Sequence, residues 1–290
     1  MSALAHQGKP DPITITEPEY GKFCEFFYRR TGISFAENKR YYVDKRLIDR
    51  IRKTGTISFQ RYFDGLRRSD AQGEIEHLVN LLTVNETYFY REVEQFDCLV
   101  KGILPELVAH RRKGDRIRIW TMPCSTGEEP YSIAIYLLEN WPQVDDYDIE
   151  ILASDIDTNV LRSAEAGVYD TRSLHRLSPD LVRRYFESAG PGRFRLISSI
   201  RESVRFNQLN ASDAGAMRAF AGIDVIFCRN MLIYFDDQSR RKTVESFYDS
   251  LNQGGFICLG HSESMSRISS LFAIRKFPQA IVYQKNGGPR

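Results

Sequence analysis

Two adjacent glutamates at the start of a helix carry the wrong charge for a phosphate site. The stretch "MPCSTGEEPYSIAIYLL", residues 122–138, follows the apolar run "RIRIWT" and leads into a helix-like pattern. Ser125, Thr126 and Gly127 are small enough for the backbone there to press against a ligand. A phosphate-cradling turn would keep acids away, because bare amides and helix N-termini favour anions. Here Glu128 and Glu129 stand at the turn. Each acid could simply favour the helix N-terminus, so the turn needs a second feature beside it.

That feature is Asp155, which ends "EILASD" one β-α-β unit beyond the glycine. An acid at this spacing takes ribose hydroxyls in nucleotide-binding sheets. A ligand joining an adenosine to a zwitterionic amino-acid tail, with no phosphate, suits both features. Its ammonium wants a carboxylate at the first turn, and its ribose wants the acid at the end of the next strand. S-adenosylmethionine fits this description. NAD does not, since "CSTGEE" lacks the Gly-x-Gly-x-x-Gly pattern of dehydrogenases. The spacing does not choose between Glu128 and Glu129.

The elements that must hold these residues have two grammars. Roughly the first 85 residues read as helices joined by short turns. "TEPE" at Thr16 fits a capping box, Phe23, Phe26 and Phe27 share a face, and Gly32 closes the helix. A second helix runs to Lys53, Ser58 caps a third, and "GEIEHLVNLLTV" supplies a fourth. From about Asp115 the runs "RIRIW", "DIEILAS", "DVIFC" and "GGFICLG" read as buried parallel strands separated by helical patterns. That alternation predicts a doubly wound α/β sheet, closed by the antiparallel pair in "FAIRKFPQAIVYQK". Between Val168 and Phe206 the alternation breaks. A helix, "LSPDLVRRYFES", and a hairpin turning near Ser198–Ser199 predict a small inserted β-subdomain.

The bulk composition excludes other classes. With 290 residues, 42% hydrophobic, 27% charged and a net charge of +2, the chain has no global nucleic-acid or membrane signature. No apolar run reaches the ~18 residues of a membrane span. The N-terminal "MSALAHQGKPDPITIT" lacks a basic-then-apolar leader, and the terminal "NGGPR" is expected to fray. A cytoplasmic protein follows as the expectation, without direct membrane insertion. The five scattered cysteines form no metal or disulfide pattern, so free thiols and no metal are expected.

Two further stretches, "NETYFYRE" (85–92) and "FCRNMLIYF" (227–235), surround aromatics with Arg91, Arg229 and Asn230. Taken in order with "CSTGEEPYSIAI" and "ASDID", they resemble the chemotaxis receptor glutamate methyltransferases, the CheR family. The likeness spans about residues 15–285. It implies a Rossmann-like S-adenosylmethionine methyltransferase domain at 101–285, with the β-subdomain inserted at about 170–206. A helical substrate-recognition domain at 13–84 and a linker at 85–100 that contributes to the cofactor site would precede it. It further implies that Asn85, Thr87 and Arg91 approach the cofactor from the linker. The acidic turn, Ser125 to Glu129 with Glu129 favoured, would hold the amino-acid moiety, and Asp155 the ribose. Asn210 and Ala211 would lie beside the adenine, and Arg229 and Asn230 at the strand end. Tyr234 matches an aromatic near the transferred methyl, so Arg91 and Tyr234 are the candidate catalytic residues. Cys124 departs from the alanine-like residue usual before the Ser-Thr-Gly turn, and "NQLNAS" from the commoner Asn-Leu-Leu run.

The implied activity is methylation of glutamate carboxylates on chemoreceptors, leaving S-adenosylhomocysteine. A glutamate with pKa ~4.3 is already a nucleophile at neutral pH, so the absence of a Ser-His-Asp or Cys-His set agrees with it. Positive charge is concentrated in residues 39–68, where Val43, Leu47 and Ile51 form one stripe of a helix and Arg46, Arg50 and Lys53 another. The second stripe is expected to meet the acidic cytoplasmic methylation helices of a receptor. The inserted subdomain is where some family members dock a receptor's C-terminal peptide. The rival readings are a methyltransferase for another substrate, such as RNA or DNA, and a non-catalytic S-adenosylmethionine-binding signalling module. "CRNMLIY" lacks the Pro-Pro-aromatic run frequent in amino-methylating enzymes, and no nucleic-acid partner is expected.

Overall fold

The computed structural model describes residues 13–286 and divides after Leu82 into two compact units. The readings made for residues 1–12 and 287–290 lie outside the described residues. The first unit is helical, with α1 (Glu17–Thr31), α2 (Arg40–Lys53), α3 (Phe59–Leu66) and α4 (Gln72–Leu82). The Glu19 carboxylate accepts from both the N–H and the hydroxyl of Thr16, each at 2.8 Å, and Gly32 ends α1 with φ +73°. Ser58 accepts the Arg61 N–H at the start of α3. The expected apolar stripe of α2 is buried whole: Val43, Leu47 and Ile51 pack with Phe23, Phe27 and Phe59 in the core.

The basic stripe of α2 has internal work. Arg50 grips the Glu74 carboxylate on α4 through Nε (2.8 Å) and Nη2, and the Tyr62 hydroxyl donates to the same group. Arg46 lies over the Tyr42 ring at 3.6 Å and donates to the Leu81 carbonyl. Lys53 is exposed. Two of the three charges expected to greet a partner therefore also brace α2 against its own unit.

The second unit opens with α5 (Val93–Cys98), which widens through a π turn into α6 (Leu104–Val108). There follow β1 (Arg116–Thr121), α7 (Glu128–Asn140), β2 (Asp148–Asp155) and α8 (Thr158–Ala166). The insertion comprises β3 (Val168–Asp170), α9 (Pro179–Tyr185), β4 (Phe186–Ser188) and β5 (Arg193–Leu196). A helical turn, α10 (Ser198–Arg201), leads to β6 (Val204–Gln208), α11 (Ala214–Met217) and β7 (Ile223–Cys228). The chain ends with α12 (Asp237–Ser250), β8 (Leu251–Leu259), β9 (Phe272–Lys276) and β10 (Ile281–Lys285).

Seven strands form the main sheet in the order β6-β2-β1-β7-β8-β10-β9, and β3-β5-β4 form a separate antiparallel sheet. The pairs β6–β2, β2–β1, β1–β7 and β7–β8 are parallel, and the closing β9–β10 hairpin is antiparallel as expected. The chain leaves β1 toward β2 on one side and returns to β7 on the other. The crevice beyond the C-terminal ends of β1 and β7 is thus the switch point where doubly wound sheets take ligands.

One sequence expectation fails here. No hairpin turns at Ser198–Ser199, because those residues begin α10 and β6 joins the main sheet in parallel with β2. The true turn lies between β4 and β5, where Gly190 and Gly192 adopt φ +116° and +65°. Alternating apolar residues mark both β5 and β6 as strands but cannot name their partners.

Gly127 also has a role other than the expected one. It takes φ +92°, and an added Cβ would stand 2.9 Å from Ala164 Cβ and 3.1 Å from the Tyr131 ring and the Tyr169 hydroxyl. Protein crowds this glycine, and its lack of a side chain lets the start of α7 press onto α8. Gly127→Ala should lower stability by about 1–3 kcal/mol in urea denaturation, through strain at positive φ plus the clash. A midpoint equal to wild type would refute this account of the turn.

Candidate active site

The turn after β1 is tied to both neighbouring strands. Met122 N–H donates to the Phe227 carbonyl on β7 and Cys124 N–H to the Ser154 carbonyl on β2, both at 2.9 Å. One cavity at this edge is lined by Val84, Asn85, Glu86, Thr87, Tyr88, Arg91 and Phe96 of the linker segment and α5. Pro123, Cys124, Ser125, Glu129, Arg229 and Asn230 complete it. Of the expected cofactor contacts, Asn85, Thr87, Arg91, Ser125, Glu129, Arg229 and Asn230 are therefore brought together.

At its base lies Arg229, 5% exposed. Its guanidinium pairs with Glu129 through Nη1, lies 3.0 Å from Glu92 and donates to the Arg91 carbonyl at 2.7 Å. It also sits 5.7 Å from the Phe96 ring centroid. Two carboxylates share one guanidinium, which leaves a net negative charge beside the cavity. Glu129 Oε1 is buried and has no hydrogen-bond partner. An unmet buried acceptor costs on the order of 1–3 kcal/mol, and a ligand ammonium would relieve it. Burial pushes the Glu129 carboxyl up, and the Arg229 charge works against that shift.

Glu128 plays a different part. It accepts from the Thr126 hydroxyl at 2.6 Å and the Ser173 hydroxyl at 3.1 Å, fastening the turn to the insertion. It does not line the cavity. Successive helix residues point about 100° apart, so neighbouring acids can serve different sides.

Asp155 is 3% exposed and accepts from Ser125 N–H at 2.8 Å and Asp157 N–H at 3.0 Å. It thus fixes the β1 turn from the end of β2. Burial pushes its carboxyl up to about 6, against the pull of those amides. Asp157 caps α8, so Asp155 is not needed for that purpose. Asp157 also accepts from Asn85 at 2.8 Å and Thr83 at 2.7 Å, which anchors the start of the linker.

Gly127, Glu128, Asp155, Asn210, Ala211 and Tyr234 lie outside the cavity lining. Leu209 N–H donates to the Asp155 carbonyl, which sets Asn210 and buried Ala211 just beyond the end of β2. Tyr234 ends the short helical turn Leu232–Tyr234 after β7. Arg91 donates to the Glu86 carbonyl at 2.8 Å, and its guanidinium lies 5.9 Å from the Tyr88 ring. Tyr88 in turn packs on His175 of the insertion at 4.7 Å.

Sequence reasoning gave Glu92 and Tyr88 no ligand-side role, although both sit in "NETYFYRE". Backbone strain marks the same place. Among the described residues, the non-glycine positions with left-handed φ are Tyr90, Glu92, Ser125 and Asn230, all on segments around Arg229. Each costs on the order of 1–3 kcal/mol, and such residues gather at functional sites.

An unmet buried carboxylate oxygen at the first turn and a buried acid after the second strand fit a ligand with an ammonium and a ribose. Together with the doubly wound sheet, they are what a methyltransferase that uses S-adenosylmethionine requires. Residues 85–281 match the family described as CheR methyltransferase, SAM binding domain, and residues 18–83 match the CheR methyltransferase all-alpha domain. The chain is 50% identical to chemotaxis protein methyltransferase 2 of Vibrio cholerae over 94% of each chain. It is 40% identical to chemotaxis protein methyltransferase 2 of Pseudomonas aeruginosa, over 88% of this chain and 90% of that one. With the Salmonella typhimurium chemotaxis protein methyltransferase it shares 35% identity over 91% and 89%. The chain belongs to the CheR methyltransferase family.

The raised Asp155 carboxyl sets a pH dependence. Without ligand, its folded pKa of about 6 exceeds the unfolded value. Its contribution to stability is therefore greatest in acid and is lost as pH rises from about 4 through about 6. If Asp155 takes the ribose, a hydroxyl donating to its carboxylate would favour the ionised form and lower that pKa. S-adenosylhomocysteine should then bind more weakly below about pH 6, and binding near pH 6 should release protons. Calorimetry in buffers of different ionisation enthalpy measures this, and proton uptake on binding would contradict the assignment.

Proposed function

We propose that this protein transfers the methyl group of S-adenosylmethionine to glutamate side-chain carboxylates of bacterial chemoreceptors, for sensory adaptation. The products are a glutamate methyl ester and S-adenosylhomocysteine. The observation that carries this reading is the cavity itself, which joins a buried acid for an ammonium to Arg91 on the linker. Its relatives' names supply the chemotaxis context.

When bound, the cofactor supplies an electrophilic methyl group. Glu129 would hold the ammonium and Asp155 the ribose, while Asn210 and Ala211 would border the adenine. Arg91 would orient the incoming carboxylate, and Tyr234 would offer a hydroxyl to it. A glutamate of ordinary pKa arrives ionised, so no residue has to remove a proton. The task left to the protein is alignment of the acceptor, which is positioning catalysis. Partial exclusion of water by Tyr88 and Phe96 would favour the approach of opposite charges.

The helical unit would recognise the acidic methylation helices of the receptor. Because Arg46 and Arg50 also brace α2, exposed Lys45 and Lys53 give the cleaner test of that surface. A receptor's C-terminal peptide would add a strand to an edge of the β3-β5-β4 sheet. Both proposed substrate segments would be cytoplasmic, and the enzyme would act there.

The direct test is incubation with radiolabelled S-adenosylmethionine and membranes bearing chemoreceptors. Label should enter receptor protein and leave as methanol in mild base; base-stable label, or label in RNA, would defeat the reading. Lys45→Glu combined with Lys53→Glu should slow methylation several-fold at low salt, and wild type at high salt should slow likewise. The variant's affinity for S-adenosylhomocysteine should not change. Unaltered methylation would remove the charged surface from the proposal.

A further inference from the structure

The loop after β8 carries Glu263, which has no place in the cofactor cavity. Its carboxylate nevertheless accepts backbone N–H groups from Asn230 at 2.8 Å, Leu232 at 2.8 Å and Gly260 at 3.0 Å. Two of these donors belong to the turn after β7, which brings Asn230 into the cavity and ends at Tyr234. A strand that stops leaves its following amides without ladder partners, and a single anion can gather several of them. Burial pushes the Glu263 carboxyl up, and the amides of Asn230, Gly260 and Leu232 draw it back.

The turn is seated tightly. A Cβ on Gly260 would stand 2.9 Å from Asn230 Nδ2, 3.0 Å from Glu263 Oε2 and 3.1 Å from Asn230 N. Asn230 itself has φ +58°, a conformation that costs energy unless neighbouring contacts enforce it. The contacts that enforce it here are those of Glu263 and Gly260.

We propose that Glu263 is a positioning residue of the methyl-transfer site. Its carboxylate holds the turn after β7 in the one shape that presents Asn230 to the cofactor and sets Tyr234, while touching neither ligand itself. The inference rests on the S-adenosylmethionine site and not on the identity of the methyl acceptor.

The experiment uses the full chain and S-adenosylhomocysteine as probe. Glu263→Gln keeps the side-chain shape but removes the charge and sets an amide N–H₂ against backbone donors. It should weaken S-adenosylhomocysteine roughly tenfold by calorimetry, the scale of one charge-assisted hydrogen bond. In the methylation assay kcat should also fall at saturating cofactor, with the KM for the protein substrate unchanged. Gly260→Ala, which keeps the charge of Glu263 but crowds both its carboxylate and the turn, should reproduce the same pattern and serves if Glu263→Gln does not fold. A double variant with Asn230→Gly should lose no more affinity than the worse single variant, because both act through one turn. Wild-type affinity and kcat in either folded variant would overturn the proposal, and so would additive losses. A wild-type chain that binds the probe but methylates no receptor would count against the proposed acceptor alone, since the affinity comparison is unaffected.

Discussion

The buried guanidinium of Arg229 is the interaction on which the site depends. It leaves the end of β7, meets Glu129 at the start of α7, and reaches both the carboxylate of Glu92 and the carbonyl of Arg91. One side chain therefore joins a strand, a helix and the linker segment that lies outside the sheet. A guanidinium suits this task because its fixed fork of donors can satisfy several acceptors at once. Removing one member of such a buried set is costly, on the order of 3–5 kcal/mol, since the others are left charged and unpaired. Arg91, Tyr88 and Thr87 line the cavity because the chain between Asn85 and Glu92 is held at both ends. Asp157 anchors one end and Arg229 the other.

Much of the scaffold was legible because its physics is local or periodic. The apolar runs of β1, β2, β7 and β8 are buried strands, and no surface strand could carry so many Ile and Val residues. The capping groups at Thr16, Gly32 and Ser58 act within one helical turn, so their sequence signals suffice. Partner choice was not legible. β6 has the alternation of a hairpin strand, yet its partner is β2, more than 45 residues earlier, through Val204↔Ile151 and Phe206↔Ala153. Alternation reports burial on one face and is silent about what lies alongside.

The site was legible to the extent that side chains announce their chemistry. Glu129, Asp155 and Arg91 were visible as charges in places that need a reason. Spacing alone could not tell which glutamate faced the cavity, because that depends on Ser173 of the insertion taking Glu128; only the family resemblance favoured Glu129. Gly127 was visible as a turn glycine, but its neighbours Ala164, Tyr131 and Tyr169 were not, since only the fold brings them there. Glu263 left no trace at all. Two of its three amide partners lie more than 30 residues upstream, and every residue type but proline offers such an amide.

Excess negative charge and strained backbone are both unfavourable for the ligand-free fold, and they coincide at the same place. Glu129 and Glu92 are largely and Asp155 almost fully withdrawn from water, and Tyr90, Glu92, Ser125 and Asn230 hold left-handed backbone around them. Glycine at the left-handed positions would relieve the backbone part of that cost, whereas neutralising Glu129 or Glu92 alone would leave Arg229 short of a partner. A site built this way is nonetheless complementary to a cation before the cation arrives. The protein has then met the reorganisation cost during folding, and binding need not supply it. Under the proposed function, positioning is also the main catalytic task, since an ionised carboxylate acceptor would bring its own nucleophile. A rigid, slightly destabilised cradle follows from that chemistry more directly than a set of acid and base residues would.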